Sequence, residues 1–335
     1  MIYVSLPEEK TRRLSFYLAM EEYVAREKQW PDAFFMWQVE PSVIFGRNQV
    51  VEAEVNIPFC REHGIQMYRR KSGGGCVYAD MSNIMFSYIT SEDNVNFTYN
   101  RYINMVVYVL RKLGVLATSS GRNDILVDGR KVSGNAFYHL PGRSIVHGTM
   151  LYDTNMQNMV GSITPSDDKL VSKGVQSVRQ RITLLKDYIS LDINAFKHFV
   201  KENLCEGEML LTADDIARIE AFEQEYLDER FIFGSNPRYS LVRRRHIEGV
   251  GDIELRMEVR NNVIQDINLL GDFFLIGDLD KFLVSLKGKN LEPERLRQAI
   301  PDDLPSIIRH LTSEQFLRLL LDDTSPISSV PPRNG

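Results

Sequence analysis

Three cations and three glycines stand together at Arg69-Arg70-Lys71-Ser72-Gly73-Gly74-Gly75-Cys76-Val77-Tyr78. Glycine lacks Cβ, so this backbone can turn sharply and meet a ligand closely. Successive N–H groups beside Arg and Lys suit a phosphate or a carboxylate. Four further clusters carry groups of the same kind. Lys131 follows a tight turn and precedes Ser133-Gly134. Asn123-Asp124 offers oxygens that can hold Mg²⁺ directly or through water. His147-Gly148-Thr149 interrupts an apolar run, and Lys173-Gly174-Val175-Gln176-Ser177-Val178-Arg179-Gln180-Arg181 is basic. Each cluster taken singly also fits a plain structural role: a solvated turn, a strand lysine, an Asx turn or a core histidine. Their concentration in one part of the chain points to a phosphorylated ligand.

The elements that must position these groups follow from apolar spacing. A strand opens the chain at Ile2–Leu6. A helix over 12–28 repeats Leu14, Tyr17, Leu18, Tyr23 and Val24 on one face. Strands are expected at Ala33–Val39, Ser42–Phe45, Gln66–Arg69 and Asn83–Thr90. Helices are expected at Ile57–His63, stopped by Gly64, and at Tyr102–Leu113, stopped by Gly114. Asp128-Gly129 between β-type flanks signals a hairpin of Ile125–Val127 with Lys131–Val132. A strand at Ile145–Asp153 follows, then a Gly-, Ser- and Pro-containing loop over 161–174, and helices near 192–204 and 213–227. Beyond Gly234 a new β series appears at Tyr239–Val242, Ile253–Val259 and Val263–Leu270. Helices near 278–287, 291–299 and 312–321 come after it, the order expected of a separate small α+β domain. The tail from Thr324 is Ser/Pro-rich and is expected to be disordered.

The chain has 335 residues, 43% hydrophobic and 25% charged, which is ordinary globular composition. A net charge of −5 gives no support to nucleic-acid binding. Cys60, Cys76 and Cys205 have no C-x-x-C spacing and read as reduced thiols. No apolar run approaches the roughly 18 residues of a membrane span. The expectation is a cytoplasmic protein that engages neither membrane nor nucleic acid.

Familiar phosphate and nucleophile motifs are missing: there is no G-x-x-x-x-G-K-[ST], no G-x-G-x-x-G and no G-x-S-x-G. The motifs that are present resemble another family. Arg69-Arg70-x-Ser72-Gly73-Gly74-Gly75-x-Val77-Tyr78, Gly121-Arg122-Asn123-Asp124-Ile125, Gly129-Arg130-Lys131-Val132-Ser133-Gly134, His147-Gly148-Thr149 and Lys173-Gly174-Val175-x-Ser177-Val178-Arg179-x-Arg181 occur in this order in lipoate–protein ligases. Gly234-x-x-Pro237 and Gly271-Asp272-Phe273-Phe274 are similar to the family's later markers. The resemblance covers nearly the whole chain.

The resemblance implies an α+β fold: a mixed β-sheet catalytic domain flanked by helices, akin to biotin ligases, over 1–243, and a small C-terminal α+β accessory domain over 246–323. The tail is 324–335. It implies an ATP-dependent ligase that converts lipoate and MgATP to lipoyl-AMP and pyrophosphate. The lipoyl group then passes to a lysine of an acceptor lipoyl domain, in a 2-oxoacid dehydrogenase complex or the glycine-cleavage H protein. By resemblance Lys131 is central to catalysis. Arg70, Ser72, Gly73, Gly74, Gly75, Cys76, Val77, Tyr78, Lys131 and His147 bind lipoate or ATP, and Asn123 and Asp124 hold Mg²⁺. Residues 161–181 resemble a loop that closes over the adenylate.

Two departures from the family pattern stand side by side. Ala79-Asp80 replaces the usual His-Asp, and Met81-Ser82-Asn83 follows where Gly-Asn is usual. Two alternatives compete. An octanoyl or lipoyl transferase of the same superfamily would need a cysteine just upstream of the lysine motif, and Thr118-Ser119-Ser120-Gly121-Arg122 has none. A non-catalytic lipoyl- or nucleotide-binding homologue is the other, kept open by Ala79.

Overall fold

The computed structural model describes residues 1–8, 10–92, 94–120, 123–163, 181–234 and 241–321. The chain divides into two units, Met1–Asn236 with Gly271–Ile276, and Pro237–Leu270 with Gly277–Gly335.

The first unit is built on strands that range from fully buried, as at Ser42–Phe45 and Ile84–Thr90, to exposed, as at the edge strand Gly207–Leu210. Its strands are β1 (Ile2–Ser5), β2 (Asp32–Trp37), β3 (Ser42–Phe45), β4 (Gln66–Arg69), β5 (Val77–Ala79), β6 (Ile84–Thr90), β7 (Ala117–Ser119), β8 (Asp124–Val127), β9 (Arg130–Leu140), β10 (Arg143–Met150) and β11 (Gly207–Leu210). Eight form one sheet in the order β11-β1-β2-β6-β10-β9-β8-β7. β1 runs parallel to β11 and β2, and the pairs from β2 onward are antiparallel, so the sheet is mixed. A smaller sheet has the order β4-β3-β5.

Alternation along β2 and β6 sends residues to two different cores. Phe35, Trp37, Met85 and Ile89 join a cluster with the helix α1 (Leu14–Glu27). Phe34, Phe86 and Tyr88 join one with α2 (Val95–Lys112) and α3 (Ile193–Leu204). α1 is buried from Leu14 through Ala25, which includes Glu21 and Glu22. On its outer side lies α4 (Ala213–Leu227).

α2 begins at Val95, seven residues before the start expected from periodicity. The Asn94 side chain caps it by accepting from the Phe97 N–H at 3.0 Å. Thr98 and Tyr99 extend its buried face, although polar neighbours obscure the stripe in sequence. The strand expected at Ile145–Asp153 ends at Met150, and β9 runs far beyond Lys131–Val132 to Leu140. The remaining strand and helix readings agree in place with the observed elements to within a few residues. Residues 164–180 of the expected closing loop, Gly121-Arg122, Pro237, Tyr239 and the tail from Thr324 lie outside the described residues.

The second unit has a three-stranded sheet, β12 (Leu241–Ile247), β13 (Gly251–Arg260) and β14 (Val263–Gly271), in that order. The β13–β14 turn uses Asn261 and Asn262 at φ 51° and 64°, a left-handed pair that asparagine tolerates. Helices α5 (Leu279–Leu286), α6 (Pro293–Ala299) and α7 (Ser313–Leu321) complete it, with Phe282 and Phe316 in ring contact at 5.3 Å. Among the described residues no helix is long and apolar enough to cross a membrane.

The start of α4 is fixed by a capping box of Thr212 and Asp215. The Asp215 carboxylate also accepts from Tyr23 at 2.5 Å and Lys28 at 2.7 Å. Burial alone would raise its pKa, but these donors and Thr212 hold it well below the usual carboxylate range. Its contribution is therefore complete above the unfolded value of about 3.9 and fades as pH falls below that. Asp215→Asn should cost about 1–3 kcal/mol at pH 7. Urea unfolding at pH 7 and pH 3 should show the gap to wild type narrowing at the lower pH.

Candidate active site

Lys131 is the second residue after a two-residue hairpin turn. Asp128 and Gly129 have φ of 50° and 72°, the doubly left-handed turn that Asp-Gly favours. Val127 pairs with Arg130 and Leu126 with Lys131, but Ile125 pairs with Ser133. Val132 is thus an extra residue, and the resulting bulge changes the side-chain alternation at Lys131. The ammonium lies 2.8 Å from Asp124 Oδ1 on the neighbouring strand. It also lies across Gly134: a Cβ there would be 2.6 Å from both Cε and Nζ of Lys131. The Lys-x-x-Gly spacing therefore has a steric reason, since only hydrogen leaves room for the amine.

The three cations before the glycines have three separate occupations. Arg69 donates to the carbonyls of Gly46, Arg47, Gln49 and Ile232. Lys71 pairs with Glu22 and Glu225, each at 2.7 Å, on α1 and α4. Arg70 alone faces the cleft. Its Nε donates to Ser72 Oγ (3.0 Å) and Gly73 O (3.2 Å), Nη1 to Ile44 O (3.0 Å), and Nη2 to Gly73 O and Gly75 O (both 2.7 Å). Among the described residues no carboxylate pairs with it. Burial pushes its pKa down to about 10, which leaves it charged at neutral pH.

The glycines are not equivalent. A Cβ on Gly73 would lie 2.5 Å from Phe273 O, and Gly74 N–H donates to that carbonyl at 3.1 Å. Gly74, at φ 87°, also leaves room for the Phe274 ring. Only Gly75 has open space where a side chain would stand. Two of the three glycines thus serve the approach of the Gly271–Ile276 segment, which belongs to the same unit.

The cleft holds about 580 Å³ of empty space including its mouth, a size suited to a small molecule. Its lining combines polar Arg70, Asn123, Lys131, Asn135, His147 and Thr149 with apolar Leu18, Trp37, Ile44, Val77, Met85 and Ala136. Trp37 is stacked on Tyr17 at 4.8 Å. Gly74, Gly75, Cys76, Gly134 and Gly148 complete the lining, whereas Ser72, Gly73, Tyr78 and Asp124 are not part of it. Strand alternation explains Val77 and Tyr78: Tyr78 turns to a separate core with Val43 and Phe45.

Asn123 and Asn135 clamp one another. Asn135 donates from N and Nδ2 to Asn123 O, both at 3.0 Å. Gly148 makes room for this, because a Cβ there would fall 1.8 Å from Asn135 Oδ1. His147 Nε2 is 2.7 Å from Ser72 Oγ, and Nδ1 is 2.8 Å from Glu21 Oε2. Burial, with Glu54 nearby, raises the Cys76 thiol pKa far above its ordinary value, so it stays protonated. Ala79 is fully buried in β5 and packs in the α1 core. Asp80 accepts from the Ser82 and Asn155 N–H groups. No cluster of three or more acidic, His or Cys ligands occurs among the described residues.

Sequence reasoning missed Glu21, Trp37, Gly134's spatial role and Asn135. Glu21 carried a signal: it lies three residues after Leu18 on the apolar stripe of α1, where a charge is out of place.

Residues 14–205 match the family model "Lipoyl protein ligase A/B catalytic domain", and residues 236–320 match "Bacterial lipoate protein ligase C-terminus". The chain is 34% identical over 320 residues to lipoate-protein ligase LplJ of Bacillus subtilis, covering 90% of this chain and 95% of that protein. It is 31% identical over 313 residues to lipoate–protein ligase 1 of Staphylococcus aureus, covering 90% and 95%. A solved structure of P. falciparum LipL1 in complex with lipoate shares the fold, with a TM-score of 0.76 at 19% identity, over 96% of this chain and 98% of that one.

The contrast between neighbouring glycines is testable by thermal and urea unfolding. Gly73→Ala should cost about 1–3 kcal/mol through its clash with backbone. Gly75→Ala should change stability by less than about 0.5 kcal/mol.

Proposed function

The chain belongs to the lipoate–protein ligase family and is an ATP-dependent ligase, and we propose that its two half-reactions share the cleft between Arg70 and Lys131. The first unit acts as the catalytic domain and the second as the accessory domain. Lipoate places its hydrocarbon tail against Trp37, Ile44 and Val77 and its carboxylate toward the cations. Attack of that carboxylate on the α-phosphorus of ATP expels pyrophosphate and gives lipoyl-AMP. The ε-amine of an acceptor lysine then attacks the acyl carbon, and AMP leaves.

Negative charge builds on phosphoryl oxygens in the first step and on the carbonyl oxygen in the second. Fixed cations stabilise both, more strongly in an enclosed cleft than in water. Arg70 supplies a charge without a local counter-ion among the described residues. Lys131 reaches the same oxygens once its ammonium leaves Asp124. Gly75, Cys76 and Val77 form the wall that meets the nucleotide. The oxygen donors of Asn123 and Asp124 fit Mg²⁺ carried by ATP phosphates better than a resident metal, because the protein offers so few ligands. When bound there, Mg²⁺ neutralises phosphate charge.

The observation that carries this reading is the buried Arg70, without a carboxylate partner among the described residues, facing the same cleft as Lys131. The stretch Thr118-Ser119-Ser120-Gly121-Arg122, upstream of the lysine motif, has no cysteine and so argues against the thioester route of a transferase. Acceptors are lipoyl domains of 2-oxoacid dehydrogenase complexes or the glycine-cleavage H protein.

ATP–pyrophosphate exchange should depend on lipoate and Mg²⁺ and should exceed that with biotin. Exchange indifferent to lipoate would defeat the proposal, as would acyl transfer from octanoyl carrier protein without ATP. Lys131→Ala should lower adenylation and transfer at least about a hundredfold with the fold intact by circular dichroism. Gly134→Ala should displace the Lys131 amine and lower exchange roughly tenfold or more, with little change in melting temperature.

A further inference from the structure

Glu21 is a buried carboxylate, 3% exposed, that the chemistry above leaves unused. It pairs with no lysine or arginine among the described residues. Oε1 accepts from the Ser87 hydroxyl at 2.5 Å, and Ser87 Oγ accepts from Trp37 Nε1 at 2.8 Å. Oε2 faces His147 Nδ1, and His147 Nε2 faces Ser72 Oγ, which accepts from Arg70 Nε. One chain of contacts thus runs from Trp37 through Glu21 to Arg70.

Its two ends settle its polarity. Tryptophan and arginine N–H groups only donate, and an ionised carboxylate only accepts. Ser72 accepts from Arg70, so its single hydrogen is free for His147 Nε2. That leaves the imidazole proton on Nδ1, where it donates to Glu21. The opposite tautomer would set two N–H donors against Ser72 and point a nitrogen lone pair at the carboxylate. A doubly protonated ring would strand the Ser72 hydrogen and add a second cation near Arg70, in a place where unpaired groups are costly. Every donor in the chain therefore points toward Glu21.

We propose that Glu21 is a positioning residue: it holds His147 as the Nδ1–H tautomer and, through His147 and Ser72, sets the orientation of the Arg70 guanidinium. It also acts as the remote counter-charge of Arg70. Two intervening groups keep the two buried charges apart, so among the described residues no carboxylate occupies the guanidinium face that meets an anionic substrate. The substrate part of this inference rests on the ligase reading; the tautomer part does not.

Long-range ¹H–¹⁵N correlation on the full chain labelled with ¹⁵N-histidine reads the tautomer without any substrate, with His147→Asn used to assign the signal. Wild type at neutral pH should show a protonated Nδ1 and an unprotonated Nε2. A protonated Nε2, alone or with Nδ1, overturns the proposal. Glu21→Leu, checked for folding by circular dichroism, should lose the Nδ1–H signature and raise the KM for lipoate in exchange by about tenfold, with a smaller change in kcat. A folded variant with unchanged tautomer or KM also overturns it. If wild type shows no lipoate-dependent exchange, the ligase reading fails while the tautomer result stands on its own.

Discussion

A guanidinium buried with no carboxylate partner among the described residues is the constraint around which this cleft is organised. Isolating Arg70 from water is costly unless its N–H groups find acceptors. The chain supplies them by wrapping its own backbone around the side chain, with the carbonyls of Ile44, Gly73 and Gly75 and the Ser72 hydroxyl. The loop's path is therefore dictated by the cation inside it. Neutral acceptors satisfy hydrogen bonding but do not cancel charge, and the positive potential remains for whatever anion enters.

The sheet contributes the second requirement, a cleft lined by both polar and apolar side chains. Strands buried on both faces leave few positions for polar groups, so those near the site are held in closed networks. Asn135 and Asn123 satisfy each other across adjacent strands. Ser87, in the middle of the fully buried β6, is occupied by Trp37 and Glu21. A bulge then brings Lys131 into this setting at the one place where the neighbouring residue, Gly134, has no side chain to obstruct it. Such an arrangement suits an amphipathic acid that must be activated at its polar end while its tail stays dry.

Much of this was legible in the residues. The Asp128-Gly129 turn, the helix stops and the apolar runs located nearly every element that carries the site. Arg70, Lys131 and His147, singled out by type and spacing, do meet at one cleft. The cation triplet was less transparent: Arg69 and Lys71 look like partners of Arg70 in sequence but are engaged with a distant loop and with Glu22 and Glu225. The glycine run was misleading in a similar way, since Gly73 and Gly74 admit another segment of the chain and Gly75 alone is open. Asn94 as a helix cap went unread because polar residues beside it hide the buried stripe.

The amino-acid sequence by itself determined the elements, the turn before Lys131 and the family to which the chain belongs, because those depend on local periodicity, backbone sterics and ordered short motifs. Tertiary structure alone decided which cation faces the ligand, which glycine stays open, and that Glu21 reaches Arg70 through His147 and Ser72. These are contacts between residues as much as 126 apart in the chain, Glu21 to His147 being the longest link of that relay. No local rule specifies them. They arise when two faces of one sheet are sealed by helices and every buried polar atom must find its partner among whatever the fold has brought within reach.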